Sequence, residues 1–127
     1  MNVHPNDSGN VPEFDAAVLV DLVDGNPAEF KKFALMFLDS FEAALANLDS
    51  ALANDDRAGL GAVGHRAKTT ARNIGAMALG RKCELLESLV QASYFDEARR
   101  VAIGVRPLFE GVRSALLRCV NSLQSGL

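Results

Sequence analysis

A run of regularly spaced apolar residues between Pro27 and Asn54 constrains the fold more than any other feature of this 127-residue chain. Apolar side chains recur there every three or four positions, the spacing that places them on one face of an α-helix. They are Phe30, Phe33, Phe37, Phe41, Ala44, Leu48 and Leu52. This is the strongest periodicity in the sequence, and it predicts one long amphipathic helix with one buried face.

Three further segments repeat this spacing over shorter distances. The first follows Asn54-Asp55-Asp56, whose side chains can cap a helix, and the last runs through Pro107 without losing phase. The stripes are Leu60, Val63, Ala67, Ala71 and Ile74; then Leu79, Cys83, Leu86 and Val90; then Ala98, Val101, Val105, Leu108, Val112, Leu116, Cys119 and Leu123. Pro107 should bend the last helix near Ile103, where its missing N–H leaves a carbonyl without a donor.

Glycine and proline mark the boundaries between these segments. A short helix over residues 12–24 should stop at Gly25-Asn26-Pro27, and Gly75 should interrupt the third helix. The chain therefore predicts an antiparallel four-helix bundle with a short N-terminal covering helix. We expect residues 1–11 to be a disordered tail and residues 12–127 to form the one bundle domain.

Composition excludes several other classes of protein. The chain has no Trp, only 4 Pro and 49% hydrophobic residues, which favours a helical domain over a β-sandwich or barrel. It contains no uninterrupted apolar run of about 18 residues, and its first residues lack the order of a signal peptide, so we expect a cytoplasmic protein without membrane association. Cys83 and Cys119 lie in apolar helical patterns without metal-ligand spacing, which predicts free thiols and no metal site.

The charge of the chain is unevenly distributed. The net charge of −3 argues against nucleic acid as a partner. Between Arg57 and Cys83, however, there are six basic residues and no acidic ones. This segment is therefore suited to an anion.

His65 lies within this basic segment, on the solvent side of the third predicted helix. On a helical wheel it falls opposite the apolar stripe, together with Lys68, Thr69 and Arg72. Positive charge around an exposed imidazole suits an anion bound there. From the residues alone, His65 could equally be one polar side chain on a solvated face.

Two glycines lie shortly before the histidine in sequence. Gly61 lies one turn before His65 and Gly64 lies next to it, although glycine is unfavourable inside a helix. We interpret them as clearance for a partner that approaches the imidazole ring.

Residues 65–87, HRAKTTARNIGAMALGRKCELLE, resemble the signature of histidine-containing phosphotransfer (HPt) domains of two-component phosphorelays. The stretch that begins NPAEFKKF also resembles the long second helix of that family, so the resemblance covers about residues 15–124. The matching positions are His65, Lys68, Thr70 with Ala71, Ile74 with Gly75 and Ala76, Leu79, Cys83, and Leu86 with Glu87.

The resemblance implies a role for each of these polar side chains. His65 would carry the phosphoryl group on Nε2, Lys68 would steady the charge of that group, and Glu87 would accept a hydrogen bond from Nδ1–H. Ser40 of the second helix would lie near the histidine. The implied partners are receiver domains of response regulators and a hybrid histidine kinase, with Mg²⁺ held by the receiver and no cofactor on this chain. The chain would then be a monomeric phosphocarrier without kinase machinery.

The resemblance also implies an apolar docking patch beside the histidine. Its candidate residues are Val18, Leu19, Leu22, Leu35 and Leu38. The alternative is that the side chains of the second helix simply pack beneath residues 12–24.

Two positions depart from the family pattern. Thr69 stands where the family usually has glycine, and Ala67 stands where it usually has leucine. Thr69 adds atoms beside the histidine and leaves a second hypothesis open, an adaptor that binds a receiver or histidine kinase without carrying phosphate. A purely structural bundle with an incidental surface histidine is the third hypothesis.

Overall fold

The computed structural model describes residues 14–125, which form six helices and no strand. The helices are α1 (Ala16–Leu22), α2 (Pro27–Ala53), α3 (Arg57–Asn73), α4 (Met77–Gln91), α5 (Phe95–Ile103) and α6 (Val105–Ser125). Helix α3 packs between α2 and α4, and α6 contacts both α2 and α4, which closes a four-helix bundle. This confirms the predicted all-α fold. The predicted tail, residues 1–11, lies outside the described residues.

Capping side chains begin α2 and α3 where the sequence predicts them. The Glu29 N–H donates to Asn26 Oδ1 (3.0 Å), with Pro27 as the first residue of α2. The Gly59 N–H donates to Asp56 Oδ1 (2.9 Å) at the start of α3. These bonds satisfy amide groups that have no partner within the first helical turn.

The interruption between α5 and α6 is one residue long. Gly104 separates the two helices but keeps a nearly helical backbone, with φ −77° and ψ −8°. Pro107 has no N–H to donate to the carbonyl of Ile103, so the regular bonding stops beside that residue. The structure thus places the predicted bend near Ile103 and resolves the predicted single helix into two.

Three phenylalanine rings occupy the centre of the core. The rings of Phe41 and Phe109 stack with centroids 5.0 Å apart, and the Phe37 ring lies 5.5 Å from Phe41 and 6.1 Å from Phe109. They join α2 to α6 at the middle of the bundle. No polar or charged residue is fully buried in the described part of the chain.

The buried face of α2 differs in part from the predicted stripe. Phe33, Ala44 and Leu52 are only half-buried. The core is instead completed by residues beside the stripe, namely Ala34, Leu38, Leu45 and Ala51. This face is wide because α2 contacts both α3 and α6.

Helix α1 is anchored on the turn between α3 and α4. The Asp15 N–H donates to the carbonyl oxygen of Gly75 (2.9 Å), and Asp15 caps α1 through its side chain. Gly75 has a φ of +92°, in the left-handed region that suits glycine, and so ends α3 as predicted. Leu19 of α1 is buried in the core. Within residues 14–125, no helix is both long and apolar enough to cross a membrane.

Candidate functional site

His65 projects from α3 into solvent, with 67% of its side chain exposed. The residues of α3 that enter the core are on other faces of the helix and include Leu60, Val63 and Ala67. The helical wheel therefore predicts the orientation of this histidine correctly.

Glu87 of α4 holds one nitrogen of the His65 ring. The distance between His65 Nδ1 and Glu87 Oε2 is 2.7 Å. An ionised carboxylate only accepts hydrogen bonds, so Nδ1 carries the proton and donates it. In the neutral ring the lone pair then resides on Nε2. The site thus selects one tautomer, with the basic nitrogen on the edge away from Glu87.

Lys68 completes a three-residue cluster around the same carboxylate. Lys68 Nζ donates to Glu87 Oε1 at 2.6 Å, and only 13% of the Glu87 side chain is exposed. The hydrogen bond from Lys68 lowers the pKa of Glu87, burial of the carboxyl opposes this, and the hydrogen bond from His65 lowers it further. Glu87 is therefore a carboxylate at neutral pH.

Arg72 is engaged by a second carboxylate of α4. Arg72 Nη2 donates to Glu84 Oε1 at 2.5 Å. Two cations from the predicted basic face, Lys68 and Arg72, are thus paired with acidic residues that lie beyond the basic segment in sequence. Glu84 and Glu87 are three residues apart on α4 and face α3 together. The positive charge that the sequence places around His65 is therefore partly offset by these two carboxylates.

Gly61 and Gly64 face α4 and do not border the exposed ring, so the interpretation that they clear space for a partner is wrong. A methyl group added at Gly64 would lie 2.7 Å from the carbonyl oxygen of Cys83. One added at Gly61 would lie 3.0 Å from Val90 Cγ1. A side chain at Gly64 would thus meet the backbone of α4, whereas one at Gly61 would meet the side chain of Val90. Thr69, by contrast, is exposed as predicted.

The five candidate docking residues separate into surface and core. Leu22 is 60% exposed, and Leu35 is also exposed. Val18 is half-buried. Leu38, which is 8% exposed, belongs to the core, so its prediction as a surface contact is wrong. Leu19 is also buried in the core, but it lines the first of two grooves between α2 and α3. Leu19 is buried because α1 packs against the bundle, and Leu38 is buried because the buried face of α2 is wide.

Two adjoining grooves run between α2 and α3, and Ser40 and Thr70 line both of them. The first groove has a volume of about 290 Å³ and is mainly apolar, with Leu19 in its lining. Its other lining residues are Leu22, Phe33, Met36, Phe37, Asn73 and Ile74. The second groove reaches Arg66, the neighbour of His65 in sequence. Ser40 therefore lies across from the α3 turn that follows the histidine.

Sequence reasoning did not assign Met36, Asn73 or Glu84 to this region. Met36 is an exposed apolar residue that lines the first groove, next in sequence to the candidate Leu35. The position of Glu84, one turn before Glu87 on α4, was a usable signal that it also faces α3.

The two cysteines are both free thiols, as predicted. Burial raises the pKa of Cys83 to about 12, and the nearby charge of Arg72 only partly offsets this. Within residues 14–125, no three His, Cys, Asp or Glu side chains are grouped in a way that could hold a metal ion.

Comparison with known proteins places this arrangement in a family. The family model of the Hpt domain matches residues 32–126. The crystal structure of histidine-containing phosphotransfer protein B (HptB) from Pseudomonas aeruginosa PAO1 superimposes with a TM-score of 0.73. The two sequences are 25% identical, and the match covers 89% of this chain and 98% of that one. A search of curated proteins found no match. The chain therefore belongs to the Hpt domain family, whose role is histidine phosphotransfer in two-component signalling.

Proposed function

We propose that this protein is a phosphorelay carrier that accepts a phosphoryl group on Nε2 of His65 and later returns it to another partner. The donor is the aspartyl phosphate of one receiver domain, and the acceptor is the aspartate of a second receiver. The observation that carries this proposal is the hydrogen bond from His65 Nδ1 to Glu87, because it leaves the nucleophilic lone pair on Nε2 of an exposed ring.

The transfer requires only chemistry that this cluster can support. The Nε2 lone pair attacks phosphorus, the P–O bond to the donor aspartate breaks, and that aspartate leaves as a carboxylate. The ring then carries a phosphoryl group on Nε2 and a proton on Nδ1, so it is positively charged. The carboxylate of Glu87, 2.7 Å from Nδ1, stabilises this charge.

Lys68 supports the reaction through its charge. Its ammonium has three N–H donors, and one of them is bound to Glu87. The remaining N–H groups can donate hydrogen bonds to phosphoryl oxygens, while the first one keeps Glu87 ionised. Thr69, exposed one turn after His65, lies where it can influence which partners fit against the ring.

The first groove between α2 and α3 is the docking surface that we propose for receivers. Its apolar lining is continued on the surface by Leu22 and Met36, both exposed. Leu35 is exposed nearby on α2. Exposed apolar side chains grouped on a surface are typical of a transient protein interface, and the adjoining second groove reaches Arg66, next to His65 in sequence.

The role that we propose is that of a carrier and not of a kinase. The chain contains no glycine-rich loop of the P-loop type that would hold a nucleotide. The receivers, or a hybrid histidine kinase that contains one, would therefore supply both the phosphoryl group and the Mg²⁺ that assists its transfer.

The test is phosphorylation of the purified protein by phosphoramidate and, separately, by a phosphorylated receiver domain. We expect one phosphoryl group by intact mass and by ³¹P NMR, stable at neutral pH and lost in acid. The variant His65→Gln should accept none and keep the helical circular dichroism spectrum of the wild type.

The chain offers a matched control, because its only other histidine is His4. The variant His4→Gln should be labelled like the wild type. Labelling that persists in His65→Gln would contradict the assignment of the site. A wild-type protein that binds receivers but accepts no phosphoryl group from either donor would instead support the adaptor hypothesis.

A further inference from the structure

The backbones of α3 and α4 lie close together where Gly64 faces α4. A methyl group at this position would lie 2.7 Å from the carbonyl oxygen of Cys83 and 3.0 Å from the backbone nitrogen of Glu87. Both contacts involve backbone atoms, which cannot move aside as the end of a side chain can. Any side chain at Gly64 would therefore force the two helices apart.

The same contact connects the two residues of the hydrogen bond that orients the histidine. Gly64 precedes His65 on α3, and the backbone that it faces on α4 belongs to Cys83 and to Glu87 itself. The Glu87 Cβ would lie 3.4 Å from the added methyl group. A displacement of α4 here is transmitted directly to the 2.7 Å distance between His65 Nδ1 and Glu87 Oε2.

A second glycine maintains the close approach from the opposite helix. A methyl group at Gly80 of α4 would lie 3.3 Å from the carbonyl oxygen of Lys68 and 2.8 Å from Arg72 Cγ. The overlap with backbone is smaller than at Gly64, and the closest atom belongs to a flexible side chain. Alanine at Gly80 should therefore also widen this pair of helices, but by less than alanine at Gly64.

We propose that Gly64 is a positioning residue for phosphoryl transfer. It sets the separation of α3 and α4 that allows Glu87 to reach Nδ1, and thereby keeps the Nε2 lone pair available. The consequence for transfer rests on the function proposed above, whereas the effect on the ring tautomer does not. Gly64 touches neither the ring nor a phosphoryl group and acts through Glu87.

The test is the variant Gly64→Ala, observed by ¹⁵N NMR of the His65 ring at a pH where the ring is neutral. In the wild type, Nδ1 should resonate as the protonated nitrogen and Nε2 as the unprotonated one. In Gly64→Ala the two tautomers should become mixed, and the rate of phosphoryl acceptance should fall about tenfold, as is typical when a residue that orients a reactive group is lost.

The matched control is Gly61→Ala. The three atoms nearest to its added methyl group would all belong to the side chain of Val90, with Cγ1 at 3.0 Å. We expect the wild-type tautomer and rate in this variant. A general effect of alanine in α3 would change both variants alike and would contradict the proposal.

A double variant tests whether Gly64 acts through Glu87. In the Glu87→Ala protein, adding Gly64→Ala should change neither the tautomer ratio nor the rate further, because the residue through which Gly64 acts is gone. An additional loss of the same size in this background would show that Gly64 acts by another route and would overturn the proposal.

The outcomes separate this inference from the proposed function. A Gly64→Ala protein with the wild-type tautomer and rate would overturn the positioning role and leave the carrier function intact. A wild type that has the Nδ1–H tautomer but accepts no phosphoryl group would contradict the carrier function alone. If Gly64→Ala does not fold, the test uses Gly80→Ala, in which the two tautomers of the His65 ring should be partly mixed. A fully wild-type tautomer ratio in Gly80→Ala would overturn the proposal.

Discussion

At the scale of single residues, one carboxylate organises the site. Glu87 accepts hydrogen bonds from His65 and Lys68 on its two oxygens, and these bonds outweigh the burial that would otherwise raise its pKa. Helical periodicity predicts the exposure of His65, because direction on one helix depends only on sequence spacing. The prediction that Glu87 is the partner of His65 came from the family resemblance. Sequence spacing could not supply it, because a contact between residues on two helices depends on how those helices are aligned along each other.

The lowered pKa of Glu87 predicts how stability depends on pH. In the unfolded chain this carboxyl has its ordinary pKa of 4.5, and in the folded protein the pKa is lower. Its contribution is therefore fully present above about pH 4.5 and is lost as the pH falls through the lower value. The free energy of unfolding of Glu87→Gln, measured in urea, should be less than that of the wild type at pH ~7, and this difference should shrink by pH ~2.5. A difference that does not vary with pH would contradict this prediction.

At the scale of helices, the ends were easier to predict than the faces. Caps and turns are local, so Asn26, Asp56 and Gly75 identify their boundaries without knowledge of the fold. The orientation of Gly64 and the burial of Leu38 were predicted wrongly for a different reason. A wheel assumes one buried direction, whereas α3 packs between α2 and α4, and α2 packs against both α3 and α6.

The cap of α3 provides a test at this scale. The variant Asp56→Ala removes the acceptor of the Gly59 N–H and should lower the free energy of unfolding by about 1 kcal/mol. Urea denaturation measures the change. The variant Asp56→Asn retains a capping oxygen and should lose much less. Equal losses in the two variants would show that the charge of Asp56 matters more than its hydrogen bond.

At the scale of the whole molecule, periodicity was sufficient to predict the bundle but not the grooves on its surface. The bundle follows from four apolar stripes and short connections. The first groove between α2 and α3 depends also on α1, which is held by a backbone bond from Asp15 to Gly75 and by burial of Leu19. Such long-range contacts leave no local signal in the sequence.

The central aromatic cluster should carry a large share of the stability of the bundle. Phe109 is fully buried and stacks on Phe41, so Phe109→Ala should lower the free energy of unfolding by about 3–5 kcal/mol. Thermal and urea unfolding measure this loss. Phe33→Ala, at a half-buried position on α2, should cost clearly less. A similar loss in both variants would contradict the central role of the cluster.

In the proposed relay, the exposed edge of the His65 ring also determines how receivers share the protein. One ring nitrogen is bound to α4, so under this proposal the phosphoryl group would enter and leave only at the other one. Two receivers that use this nitrogen must therefore occupy the same place in turn, and no complex holds both at once. Each receiver is then a competitive inhibitor of the other, and an excess of unphosphorylated acceptor slows discharge of the donor. Throughput depends on the dissociation rates and relative amounts of the two receivers as well as on the chemistry at the imidazole.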